Sequence, residues 1–117
     1  MKIEHITISV NDMEKSIEFY KNVTGITVQK DLRSYGVPVV FMADDTESTK
    51  IELFGGEDGY QGSGISIGFG VTDIDAEFDR VKALGYELSG IVSPNPTTKF
   101  FFVTDPNGVK IQLIEEK

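Results

Sequence analysis

The sequence predicts an α+β fold built from two βαβββ modules in tandem, on three observations. Residues 3–13, IEHITISVNDM, and residues 64–74, GISIGFGVTDI, align at an offset of 61. KIELF at 50–54 and KIQLI at 110–114 align at an offset of 60. Each copy also passes from two-residue alternation to helical spacing and back to alternation, the periods of strand and helix. An internal repeat of this size means two like supersecondary units related by quasi-symmetry.

In the first copy Ile6, Ile8 and Val10 alternate with His5, Thr7 and Ser9, which predicts a half-buried strand. Asn11 or Asp12 offers a helix N-cap, since a short polar side chain can accept from the free N–H groups of the first turn. Met13, Ile17, Tyr20 and Val23 then recur at helical spacing, and Gly25 supplies a stop. Strands are expected near 26–32, 37–43 and 49–54, separated by Ser34-Tyr35-Gly36 and by Asp44 to Ser48. Residues 55–63, GGEDGYQGS, carry four glycines and no period. The expected division of the single domain is a first module over 1–55, a linker over 56–63 and a second module over 64–117.

The second copy repeats the plan. Ile65, Ile67, Phe69 and Val71 line one strand face, and Asp73 can cap a helix whose apolar stripe is Ile74, Phe78, Val81 and Leu84, closed by Gly85. Strands near 86–92, 98–104 and 109–115 complete it, with Asp105-Pro106-Asn107-Gly108 as a hairpin turn. Pro94 and Pro96 read as bracketing a loop, because proline cannot donate within a central strand.

Composition narrows the function. The formal net charge is −8, from 19 acidic and 11 basic residues, which argues against nucleic acid, where lysine and arginine must neutralise phosphates. There is no cysteine, so disulfides, thiolate metal sites and cysteine nucleophiles are excluded. No apolar run reaches the ~20 residues a membrane helix needs, and the chain enters a strand pattern without a leader-like segment, so a cytoplasmic location is expected. Neither a phosphate-binding glycine loop nor a serine-nucleophile motif is present.

Alternation sorts the strand residues into two sets. Ile6, Ile8, Ile51, Leu53, Ile65, Ile67, Phe69, Ile111 and Leu113 are expected to face the helices. The opposite face receives His5, Thr7, Ser9, Glu52, Phe54, Ser66, Gly68, Gly70, Gln112 and Ile114. Two curved mixed sheets with helices outside would bring such faces around an open, barrel-like cleft, where small side chains leave room for a ligand. The plainer reading is that small residues simply let sheets pack closely.

IEHITISVNDMEKSIEFYKNVTGITV, KIELFGG, GVTDIDAEFDRVKALGYEL and FFVTDPNGVKIQLIE together resemble the vicinal oxygen chelate superfamily. It includes glyoxalase I, bleomycin- and fosfomycin-resistance proteins and extradiol dioxygenases. The resemblance spans essentially the whole chain. It implies paired βαβββ modules and, in the enzymes, a divalent metal held by the first and last strands of each module. Those positions are His5 and Glu52 in the first module, and Ser66 and Gln112 in the second, where the enzymes usually have histidine and glutamate. Half of that set is intact. The resemblance also implies a homodimer, since short two-module chains of this family commonly complete their clefts across a two-fold interface.

His5, the only histidine, can hydrogen-bond a ligand, shuttle a proton or ligate a cation. Glu52 can serve as counter-ion, ligand or base, or its plainer role is a surface ion pair with Lys50 or Lys110. Gln112 offers an amide oxygen without charge, and Ser66 is a poor metal ligand. Aromatic residues complete the expectation, with Phe41 and Phe101 in equivalent places and Phe54 nearby, and with the inward member of Phe100, Phe101 and Phe102 set by a one-residue register that the sequence leaves open. An acidic cleft with aromatic walls suits a planar or cationic organic molecule.

The expected function is therefore a protein that binds a small organic molecule without a cofactor, through His5, Thr7, Glu52, Phe54, Ser66, Phe101 and Gln112. The alternative is a metal-dependent lyase or isomerase resembling glyoxalase I, with His5, Glu52 and Gln112 as the only metal candidates and Glu52 as base. A third reading is an interaction module with a vestigial cleft.

Overall fold

A computed structural model describes residues 1–56 and 58–117, so Glu57, inside the expected linker, lies outside the described residues. The chain divides into two compact units, Met1–Gln61 and Gly62–Lys117.

The first unit runs β1 (His5–Val10), α1 (Met13–Thr24), β2 (Thr27–Asp31), a single 3₁₀ turn at Arg33–Tyr35, β3 (Val39–Ala43) and β4 (Lys50–Gly55). Its sheet has the order β1-β4-β3-β2 and is mixed, with β1 parallel to β4 and the other neighbours antiparallel. Of the two candidate caps it is Asp12 that starts α1, accepting from the Lys15 N–H at 3.1 Å. Gly25 ends the helix at φ 80°, a left-handed conformation that costs glycine little, and its N–H returns to the Lys21 carbonyl. Phe19, Tyr20 and Val23 of α1 are buried, as are Ile8 and Val10, Val40 and Met42, and Ile51 and Leu53 of the sheet. The expected helix-facing set of this unit is thus its core, with Ile6 only half-buried.

The second unit runs β5 (Ser66–Gly70), α2 (Ile74–Ala83), β6 (Val92–Asn95), β7 (Thr98–Thr104) and β8 (Lys110–Glu116), in the order β5-β8-β7-β6, again mixed. Asp73 caps α2 through the Ala76 N–H. A second anchor is Glu115, buried to 7% exposure, whose Oε1 accepts from the Ile74 N–H at 3.1 Å and places a carboxylate at the helix N-terminus. Ile74, Val81, Phe101, Val103, Val109, Ile111 and Leu113 form the core.

Three expectations are corrected here. The strand foreseen near 86–92 lies instead at Val92–Asn95, and Leu88 contributes only an isolated bridge to Val103. Pro94 is tolerated because β6 is an edge strand with a register shift between Val92 and Asn95. Ile65 precedes β5 and is exposed, and Leu84, at the C-cap of α2 where the chain turns off the helix, is exposed as well.

Candidate functional site

The parallel pairing of β1 with β4 sets Thr7 directly opposite Glu52, and the antiparallel pairing of β3 with β4 sets Phe41 opposite Glu52 on its other side. Alternation sends Glu52 away from α1, between the buried Ile51 and Leu53. On that face the Thr7 hydroxyl donates a short hydrogen bond to Glu52 Oε1. His5 Nε2 stands 3.6 Å from the same oxygen, with side-chain exposures of 45% for His5 and 17% for Glu52. The Phe41 ring meets the imidazole edge-on, with centroids 5.6 Å apart. Glu52 Oε2 has no protein partner among the described residues. A carboxylate has room for about four hydrogen bonds, so this oxygen is free to accept from a ligand.

His5, Thr7 and Glu52 are therefore one cluster. Phe54 shares the face and is exposed. The ion pair with Lys50 is not formed, since the Lys50 ammonium donates instead to the Glu47 carbonyl at 3.4 Å. Ser9, expected among the small residues lining the face, anchors the following segment: its hydroxyl donates to the Asp58 carbonyl at 2.7 Å, and its own carbonyl accepts from the Tyr60 N–H at 2.7 Å.

In the second unit the register sets Ser66 opposite Lys110, Gly68 opposite Gln112 and Phe102 opposite Gln112. Gln112 thus holds the position of Glu52, and Gly68 that of Thr7. A Cβ on Gly68 would lie 3.1 Å from Gln112 Oε1, so the bare glycine gives this amide its place. The expected role of Phe101 is corrected. It pairs with Leu113, is 0% exposed and packs edge-to-face on Phe78 of α2, with centroids 5.2 Å apart. The counterpart of Phe41 is Phe102. The cause is turn length: residues 44–49 join β3 to β4, whereas the one-residue-shorter stretch 105–109 joins β7 to β8. The repeat offset accordingly falls from 61 to 60 at that turn rather than before it.

Two features were not foreseen. Arg33 forms a clamp, its Nη2 2.7 Å from Asp31 Oδ2 and its Nη1 2.5 Å from Glu14 Oε1, tying the β2–β3 connection to α1. The guanidinium holds the Asp31 carboxyl at about 2, from an ordinary 3.8. A shallow groove of about 290 Å³ lies beside it, lined by Met13, Arg33, Gly36, Val37, Pro38 and Gly55. Lys110 is the other feature: its ammonium sits 6.0 Å from the Phe102 centroid, on the face of Gln112. Period-two spacing from Gln112 was the signal that could have found it.

A divalent metal would find one imidazole and one carboxylate in the first unit, near enough to share an ion. Among the described residues no group of three His, Asp or Glu side chains comes together to hold one. His5 and Glu52 supply two of the three protein ligands that catalytic zinc sites use, and no step is derived through a metal here.

The chain is 35% identical over 130 residues to a probable lactoylglutathione lyase of Vibrio cholerae serotype O1, covering 99% of this chain and 91% of the relative. It is 32% identical over 127 residues to a lactoylglutathione lyase of Neisseria meningitidis serogroup B, covering 100% and 92%. The fold matches the crystal structure of the fosfomycin resistance protein FosX from Listeria monocytogenes, with TM-score 0.83, 19% identity and coverage of 100% and 94%. It also matches TnmS3, an antibiotic binding protein from Streptomyces, with TM-score 0.78, 20% identity and coverage of 100% and 97%. A sequence profile matches residues 2–113, and the chain belongs to the Glyoxalase/Bleomycin resistance protein/Dioxygenase superfamily.

Proposed function

We propose that this chain binds a small organic molecule against the face carrying His5, Thr7, Phe41 and Glu52, without a metal ion. The supporting observation is the state of Glu52. One oxygen is engaged by Thr7 and stands near His5, while the other has no protein partner among the described residues, and Phe41 lies opposite Glu52 on the neighbouring strand. That arrangement suits a ligand offering a hydrogen-bond donor or a cationic group next to a planar one. Phe54 adds exposed apolar area on the same face.

A thermal-shift screen of cationic aromatic compounds tests this, because a ligand that binds only the folded state raises its stability with occupancy. Hits that vanish in Glu52→Gln support the reading. Hits indifferent to both Glu52→Gln and His5→Ala overturn it. Light scattering checks the homodimer that is part of the same proposal.

A second reading is favoured by the named relatives: a metal-dependent lyase acting on lactoylglutathione, with Glu52 as base and His5 and Gln112 as further ligands. Metal analysis of protein purified without chelator separates the two. One equivalent of metal, lost in His5→Ala and accompanied by turnover of lactoylglutathione, would replace the first reading with the second.

A further inference from the structure

We infer that the second unit carries an anion-binding face of its own, formed by Ser66, Lys110 and Gln112 beside Phe102, which takes the carboxylate of a small aromatic acid. This rests on the reading that the chain binds small organic molecules, but it needs neither Glu52 nor His5.

Ser66 and Lys110 are opposite one another in the parallel register, and Gln112 lies two residues beyond Lys110 on the same face. Neighbouring strands are roughly 5 Å apart and alternate residues on one strand roughly 7 Å apart, so one small group can reach all three. An ammonium, a hydroxyl and a side-chain amide are all hydrogen-bond donors, and only the ammonium is charged. Among the described residues no side-chain hydrogen bond or ion pair engages Ser66, Lys110 or Gln112. The corresponding face of the first unit is the reverse case, since its Glu52 carboxylate is an acceptor. In a chain of net charge −8, a lysine beside two uncharged donors makes a local positive site. The global charge is screened beyond ~8 Å at physiological salt, so the local arrangement decides what binds.

Phe100 and Phe102 meet edge-to-face, with centroids 5.6 Å apart, and both are half-buried. The Lys110 ammonium lies over the Phe102 ring, 6.0 Å from its centroid, which holds the charge against the aromatic pair. Across β8, the exposed Gly68 and Gly70 put no side chain on the face, and a Cβ at Gly70 would meet nothing within 4 Å. The result is a face bare of side chains at Gly68 and Gly70, bounded by Ile114, with an aromatic wall on one side and three donors along it. A planar ring with a carboxylate in its plane matches that layout.

Benzoate is the probe, with benzamide as its neutral counterpart and benzylammonium as its cationic one. The expected result, followed by NMR titration of the folded chain, is saturable binding of benzoate with Kd on the order of 1 mM and benzamide about tenfold weaker. Amide shifts should concentrate on residues of β5, β7 and β8. Lys110→Gln should weaken benzoate about tenfold and leave benzamide unchanged, whereas Lys110→Arg should retain benzoate. Benzoate binding that survives Lys110→Gln, benzylammonium binding as tightly at these strands, or no saturable binding of benzoate would overturn the inference. Glu52→Gln separates the two proposals: loss of cationic hits with benzoate binding intact, or the converse in Lys110→Gln, shows which face has failed.

Discussion

Thr7 holds Glu52. The hydroxyl of one strand donates to the carboxylate directly opposite it on the parallel neighbour, engaging one oxygen and leaving the other without a protein partner among the described residues. In the second unit the same two register positions carry Gly68 and Gln112, so the amide there has neither a charge nor a cross-strand donor.

Thr7→Val keeps the shape and removes the donor. The expected loss of stability is about 1 kcal/mol, since that is the usual net value of a side-chain hydrogen bond. Ligands that depend on Glu52 should bind about tenfold more weakly. Thr7→Ser should restore both, as read by denaturant titration and calorimetry.

Phe101 and Phe102 are adjacent in sequence and opposite in role. Phe101→Ala empties a fully buried site against Phe78 and should cost about 3–5 kcal/mol. Phe102→Ala removes a half-buried ring and should cost about 1 kcal/mol. Equilibrium unfolding of the two variants checks the assignment of faces, and equal losses would refute it.

The Arg33 clamp predicts a titration. Asp31 is held at about 2 against an ordinary 3.8, so its ionised form is favoured in the folded chain. Its stabilising contribution is therefore present above pH 3.8 and fades as the pH falls towards 2. Carboxyl-carbon NMR should show the low midpoint, and Arg33→Gln should return it towards 3.8.

Glu115 places a buried carboxylate against the first amide of α2. Glu115→Ala leaves the Ile74 N–H without that acceptor and should cost about 1–3 kcal/mol. Glu115→Gln keeps an acceptor oxygen and should cost less. Thermal melts of both variants against the parent chain give the comparison.

Much of this was legible from residues alone. The duplicated plan, the Asp12 and Asp73 caps, the stop at Gly25 and the grouping of His5, Thr7 and Glu52 follow from local chemistry and period-two alternation. What was not legible depends on registers between distant strands. Phe101 and Phe102 could be told apart only through the length of the turn that follows them. The strand at Val92–Asn95 was hidden because its proline argues for a loop unless the strand is known to lie at an edge. The Arg33 clamp joins residues far apart in the chain, and no periodicity announces such a pair.

The hairpin between β7 and β8 is one residue shorter than that between β3 and β4, yet every strand position keeps the face of its counterpart: Phe102 stands opposite Gln112 as Phe41 stands opposite Glu52, and Phe101 is buried as Val40 is. A residue lost in a turn is thus absorbed outside the strands, because a slip within them would have turned every side chain to the other face. The two halves speak different chemical languages only through the side chains they carry, glutamate and threonine in one and glutamine and glycine in the other.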